Sequence, residues 1–255
     1  MLRLCKYLIL STCLTMGIAS CTKELDKDAS QRYQEKLIDS YRYYPLQVGN
    51  SWTYSIDSTY YFDNLGQIEI ENVKGIYRET LIDTFRDESN LLVYRCLKEK
   101  QLPNQGWTTL RVYSLTRTSS SLIRTEENTP LIDLIFPISQ NTNWDPRILI
   151  DPNASYLIKG KTIQLFKDWS DSYIEQFTTQ TFDGKEHQVI DIVDVLPDDN
   201  IILYKSSKRR YAKDIGMISK SQAFFTTQRI NQSDKPWKEK ADIGFEAEQT
   251  LLEYH

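Results

Sequence analysis

Residues 51–62 read SWTYSIDSTYYF, and the spacing of their apolar side chains decides the fold class. Trp52, Tyr54, Ile56 and Tyr60 fall on one side of a two-residue period, with Thr53, Ser55, Asp57 and Thr59 on the other. That is the period of a β-strand with one face in a core and one face in water.

Working outward from this stretch, the same texture fills most of the chain. Sixteen tyrosines accompany many Thr, Ile and Val residues, side chains that suit a pleated, half-buried surface. Further strands are predicted at 67–79, 90–100, 107–118, 121–125, 156–166, 174–182, 188–196, 201–206 and 216–225. Asn64-Leu65-Gly66, Pro103-Asn104-Gln105-Gly106, Asp183-Gly184 and Pro197-Asp198-Asp199-Asn200 supply turns between them, so the pattern is a series of antiparallel hairpins. With only nine glycines and no alternation of strand and helix, doubly wound nucleotide-binding folds are excluded. The expected class is all-β, mainly antiparallel, with a curved sheet forming a barrel or a sandwich. Residues 131–136 read as either a helical turn or a short strand, and 245–254 as either a helix or a final edge strand. One minor helix is expected over Gln31–Ser40, capped by Ser30, because Tyr33, Leu37, Ile38 and Tyr41 fall near one face.

The N-terminus reads differently. Arg3 and Lys6 precede an apolar run, Tyr7 to Ile18, that ends in the small residues Ala19 and Ser20, the layout of a secretory signal. The run is too short for the ~20 residues that span a bilayer core. Ile18-Ala19-Ser20-Cys21 resembles the lipobox of bacterial lipoproteins, which implies a signal over residues 1–20 and Cys21 as the new N-terminus, carrying lipid on its thiol and amine. Such an anchor holds a protein on a membrane without a spanning helix. Residues 21–42 are expected to hold the lipidated cysteine and a polar tether, and 43–255 a single β-rich domain. Cys5 and Cys13 leave with the signal, so only Cys96 remains beside Cys21 and no internal disulfide is possible. Cys96 shares a strand face with Leu92 and Tyr94 and reads as a small buried hydrophobe. Two of the 31 basic residues also leave, so 29 stand against 35 acidic ones, a balance that argues against nucleic acid as a partner.

YYPLQVGNSWTY, residues 43–54, resembles the opening of a large set of lipoproteins from the Bacteroidetes, and RRYAKDIGMISK, residues 209–220, is similar to a strand entry late in those chains. The resemblance implies a curved β-sheet lipoprotein of mostly unknown activity, with Gly49 and Gly216 relaxing turns and Trp52 and Tyr54 filling the core. Gly49-x-x-Trp52 is also similar to the Gly-x-Trp of lipocalins, one residue longer, and the half-open barrel of periplasmic lipoprotein carriers is an equal analogue. Both imply an apolar ligand in a concave sheet. Lys23-Glu24 followed by Asp26 resembles the signal that sends such proteins to the outer face of the outer membrane, and a periplasm-facing anchor is the alternative. Asp57-Ser58-Thr59 resembles the O-glycosylation acceptor of this phylum. Tyr44-Pro45-Leu46 with Trp52 is echoed by Phe136-Pro137-Ile138 with Trp144, as if two equivalent corners of one sheet.

The catalytic inventory is sparse. His187, in DGKEHQ, reads as a solvated turn residue, and with the terminal His255 completes the histidines, so no zinc spacing is recognisable. Ser119-Ser120-Ser121 reads as a turn rather than a nucleophile. Asp191, Asp194, Asp198 and Asp199 beside Asn200 lack the order of a calcium loop. Glu69 and Glu71 share a strand face and are candidate paired carboxylates. Lys208-Arg209-Arg210 reads as a charged hairpin tip that blocks edge pairing. Tyr41, Tyr43, Tyr44, Trp52, Tyr54, Tyr60, Tyr61 and Phe62 are either core or a stacking surface for sugars or lipid tails. No cofactor or metal is expected. The leading expectation is a non-enzymatic, lipid-anchored envelope protein that binds an apolar or carbohydrate ligand or a protein partner, or has a structural role. The alternative is a carboxylate-dependent envelope hydrolase such as a carbohydrate-active enzyme.

Overall fold

The computed structural model describes residues 27–103, 106–158 and 160–255. Cys21, the signal before it, and two residues of the expected turn at 103–106 lie outside the described residues. The elements run α1 (Lys27–Tyr41), β1 (Ser51–Asn64), β2 (Gln67–Arg86), β3 (Leu92–Leu102), β4 (Gly106–Arg117), β5 (Ser121–Glu126), β6 (Thr129–Ile135), β7 (Asn143–Trp144), β8 (Tyr156–Ile158), β9 (Lys161–Ile163), β10 (Ser172–Phe182), β11 (Lys185–Asp199), β12 (Leu203–Ala212), β13 (Gly216–Thr226), α2 (Trp237–Lys240) and β14 (Ile243–Tyr254).

Twelve strands form one antiparallel sheet in the order β6-β5-β4-β3-β2-β1-β14-β13-β12-β11-β10-β7, while β8 and β9 form a separate hairpin. Apart from the β1–β14 and β10–β7 pairs, each pairing joins strands consecutive in the chain. The two outermost strands, β6 and β7, follow one another in the chain, and the sheet curls until they meet. The Ile132 N–H donates to the Pro146 carbonyl at 3.0 Å, and the Trp144 indole N–H to the Ile132 carbonyl at 2.9 Å. The result is a nearly closed barrel.

Local chemistry explains the hairpins. Leu65 and Gly66 (φ 52° and 90°), and Asp183 and Gly184 (φ 47° and 74°), both have the two positive φ values of a tight turn that follows strand twist. At the β11–β12 turn, the Asn200 side-chain oxygen accepts N–H bonds from Ile202 and Leu203. Pro197, expected in that turn, lies instead within β11, where the register jumps from Val195↔Ser207 to Asp198↔Lys205. A residue without a donor is tolerated at such an irregularity. Residues 131–136 resolve largely into β6. β14 is a central strand paired with β1 and β13, not an edge. Ser30 lies inside α1, which already runs at Lys27, so it does not cap it.

A twelve-stranded barrel is too wide for its own inward side chains to fill in one layer, and the chain supplies extra material. At one end, Leu37 of α1 with Tyr43, Tyr44 and Leu46 join Trp52, Leu81, Cys96, Leu115 and Tyr211 in the largest core cluster. The two stretches that carry the lipoprotein resemblance meet there. The Trp52 indole N–H donates to the Ile215 carbonyl at 2.5 Å, and the Tyr54 hydroxyl to the Met217 carbonyl at 2.9 Å. Both members of the Trp52/Trp144 echo lie in this cluster. Cys96 is wholly buried, and that burial pushes its thiol up to about 12. At the opposite end, Tyr60, Phe224 and Phe245 form a second apolar cluster with Ile163 and Tyr156 of the β8–β9 hairpin.

Candidate ligand cavity

Between those two apolar ends the inward-facing positions turn polar, and they do so in register on neighbouring strands. Glu79 of β2, Lys98 of β3, Arg124 of β5, Asp133 of β6, Asp194 of β11, and Arg209 and Lys220 of β12 and β13 all line one cavity of about 420 Å³. That volume lies within the ~300–1,000 Å³ of small-molecule sites. Its other wall is apolar: Leu131, Ile132, Leu165, Phe166, Trp169 and Met217. Trp169 stacks edge-on against Phe166 at 4.9 Å, and Phe166 against Tyr156 at 5.1 Å.

The segment that covers this end, residues 145–171, is fastened by buried cations. The Lys205 ammonium, 2% exposed, donates to the carbonyls of Lys167 and Asp168. Arg147 donates to Asp145 at 2.8 Å and to the Phe166 carbonyl at 3.3 Å. Opposite, the Glu127 side chain is 72% exposed and pairs with Arg111 at 2.6 Å, so the cavity reaches solvent beside the β5–β6 turn.

The buried charges form a connected network. Arg209 grips Asp194 through two bonds, at 2.7 and 2.6 Å, and reaches Asp133 at 2.9 Å. Arg124 takes the other oxygen of Asp133 at 2.9 Å and donates to the Tyr44 hydroxyl at 3.2 Å. Glu79 accepts from the Tyr113 hydroxyl at 2.9 Å and from Lys98 at 3.2 Å. Burial alone would raise the Glu79 carboxyl, but Lys98, Arg124 and the Tyr113 hydroxyl hold it below its ordinary value. Asp133 is held down by Arg124 and Arg209 against the same opposing effect of burial. Both therefore stay ionised, and the guanidiniums stay committed to them.

Lys220 differs from every other member. Among the described residues its side chain makes no hydrogen bond or ion pair, and burial, with Arg209 and Arg124 nearby, pushes its ammonium below the ordinary lysine value against the attraction of Asp133 and Asp194. Trp169 is a second orphan, its indole N–H buried without a partner. Neither residue stood out in the sequence. The signal was present only as polar residues on the inward phase of β12 and β13: Lys205, Ser207 and Arg209, then Lys220 and Gln222.

Several expectations are corrected here. Lys208-Arg209-Arg210 is no hairpin tip but the middle of β12, with Arg209 buried inside while Lys208 and Arg210 pair outside with Glu175 and Asp191. His187 lies in β11, half-buried, with Nδ1 2.7 Å from the Lys213 carbonyl and Nε2 buried without a partner, rather than in a solvated turn. Asp191 and Asp194 do not converge on one point: Asp191 bonds Arg210 and Gln176, whereas Asp194 bonds Arg209 and Ser172; the side chains of Asp198 and Asp199 lie outside the described residues. Glu69 and Glu71 are exposed near the β1–β2 turn and do not line the cavity, Glu69 accepting a bond from Asn64 at 2.5 Å. Ser58, 5% exposed and paired on both sides within β1, presents no accessible hydroxyl for glycosylation in the folded chain. Of the aromatic set, Tyr43, Tyr44, Trp52, Tyr54 and Tyr61 are buried core.

No protein-family model matches the chain, and no curated protein is significantly similar to it. Among solved structures, a chain described as a lipoprotein from Parabacteroides distasonis aligns at 9% identity over 84% of this chain and 98% of its own, with a TM-score of 0.41. A chain described as an exported protein with a YmcC-like fold from Bacteroides fragilis aligns at 11% identity over 83% and 97%, with a TM-score of 0.37. LprF from Mycobacterium bovis aligns at 10% identity over 88% and 93%, with a TM-score of 0.22. Likenesses at this level do not speak for a shared function.

Proposed function

We propose that this chain is a lipid-anchored protein of the bacterial cell envelope that holds a small ligand inside its barrel. The observation that carries the reading is the interior cavity of about 420 Å³, with a charged floor and an apolar cover. A barrel that served only as a structural element would gain stability by filling that space. The charged network is a binding surface rather than a catalytic one in this reading, because its carboxylates are engaged by cations, and Asp194, to which the Ser207 hydroxyl donates at 3.3 Å, has both oxygens held by Arg209 and is no free base. The anchor is Cys21, and the outer membrane is the proposed location, on the strength of the lipobox and the polar residues that follow it.

Two measurements test the two halves. Labelling in the native host with a palmitate analogue should mark the protein and leave it in the membrane fraction. A Cys21→Ala variant should lose both label and membrane retention, and continued labelling would refute the anchor. Extraction of the purified protein followed by mass spectrometry should release a small co-purifying molecule. A Met217→Trp variant, which fills the cavity from its apolar wall, should release none, and equal recovery from both would place the molecule elsewhere.

A further inference from the structure

We propose that the ligand is an amphipathic anion whose head group pairs with Lys220 while its apolar body lies against Phe166 and Trp169. This deepens the ligand-cavity reading above and rests on it.

The chemistry is one of unmet polar groups in a largely buried cavity. Three carboxylates sit in the buried network, Glu79, Asp133 and Asp194, and Lys98, Arg124 and Arg209 are bonded to them at 2.6–3.2 Å. Nearer the mouth, Glu126 and Glu127 are engaged by Arg111, at 3.2 and 2.6 Å. Lys220 is the one cation of the cavity wall whose side chain has no hydrogen bond or ion pair among the described residues, and it faces the space that a ligand would occupy. Burial, with Arg209 and Arg124 beside it, disfavours its charge more than Asp133 and Asp194 favour it, and an anion bonded to the ammonium would offset that cost. The unpartnered Trp169 N–H offers a second donor in the same cavity. A purely apolar ligand would leave both groups unsatisfied, and a cation would meet the repulsion already acting on Lys220. The apolar wall in turn disfavours a small inorganic anion, which would leave most of the volume unfilled.

The test compares octanoate with its neutral isostere octanamide, by calorimetry on the full-length lipidated protein in nanodiscs, with empty nanodiscs as reference. At pH 7 octanoate should bind about tenfold more tightly than octanamide, as expected for one charge-assisted contact in a buried site. Lys220→Met should bring the two affinities together, and Lys220→Arg should keep the preference. Octanamide binding as tightly as octanoate, or a preference that survives in Lys220→Met, would overturn the inference and leave the cavity reading standing. Binding of neither molecule would overturn both.

Discussion

Gly216 has a φ of +111°, and a Cβ built there would stand 3.0 Å from the Trp52 indole nitrogen. Gly216→Ala therefore combines backbone strain with a forced shift of the largest core side chain, and should cost about 1–3 kcal/mol, measured by urea unfolding. Its role in easing the turn was legible in the sequence, but its partner was not, because 164 residues separate the two and no local period reports a contact of that range. Arg209 teaches the complementary lesson. In Lys208-Arg209-Arg210 three adjacent charges suggest a solvated tip, yet strand alternation sends the outer two to water and the middle one inward. Reading a charge run by phase rather than by density would have found it. Arg209→Met should destabilise by about 3–5 kcal/mol, since Asp194 would stay buried without its two-bond partner and Asp133 would keep only Arg124. Lys220→Met should act in the opposite direction, raising stability by about 0.5–2 kcal/mol, because burial and the neighbouring guanidiniums outweigh the attraction of Asp133 and Asp194 for that charge. A thermal shift of the two variants under identical conditions distinguishes a structural cation from one that costs stability.

At the scale of elements, the cover over the cavity is where sequence reading lost the thread. Residues 156–166 were expected to form one long strand, since Tyr156, Ile158, Ile163 and Leu165 are apolar with polar neighbours. The chain makes only the short strands β8 and β9 before turning across the barrel end. Alternation there reflects a one-sided contact with Phe224 and Phe245 rather than membership of the main sheet. The buried Lys205 holds this cover through backbone carbonyls of residues 167 and 168. Lys205→Met keeps the buried stem and removes the ammonium. It should speed amide hydrogen exchange across 164–171 while leaving β13 and β14 protected. Uniform acceleration throughout the sheet would mean instead that the residue supports the whole fold.

For the whole molecule, the all-β class and most hairpins followed from alternation and turn residues, but closure of the sheet did not, because it depends on Trp144 and Ile132 meeting across the seam. The layer of charge inside the barrel gives the molecule a pH signature. Burial alone would raise the carboxyls of Glu79 and Asp133, yet the surrounding cations hold both below their ordinary values of 4.5 and 3.8. The unfolded chain thus binds protons at a pH where the native state does not. The stability these groups contribute is complete above the ordinary values and is lost as pH falls through the lower native ones. Lys220 has the other limb: its native value lies below 10.5, so stability rises as pH climbs from that value toward 10.5. The expected profile falls on the acid side and gains on the alkaline side until other groups titrate. Glu79→Gln should lower the melting temperature at pH 7 and flatten the acid limb, since it removes one of the two carboxylates that must be protonated. Lys220→Met should abolish the alkaline gain and move the acid limb only slightly, since Arg124 and Arg209 hold the Asp133 carboxyl down more strongly than Lys220 does. An alkaline gain that persisted in Lys220→Met would show that another group supplies it, and would remove Lys220 as its source.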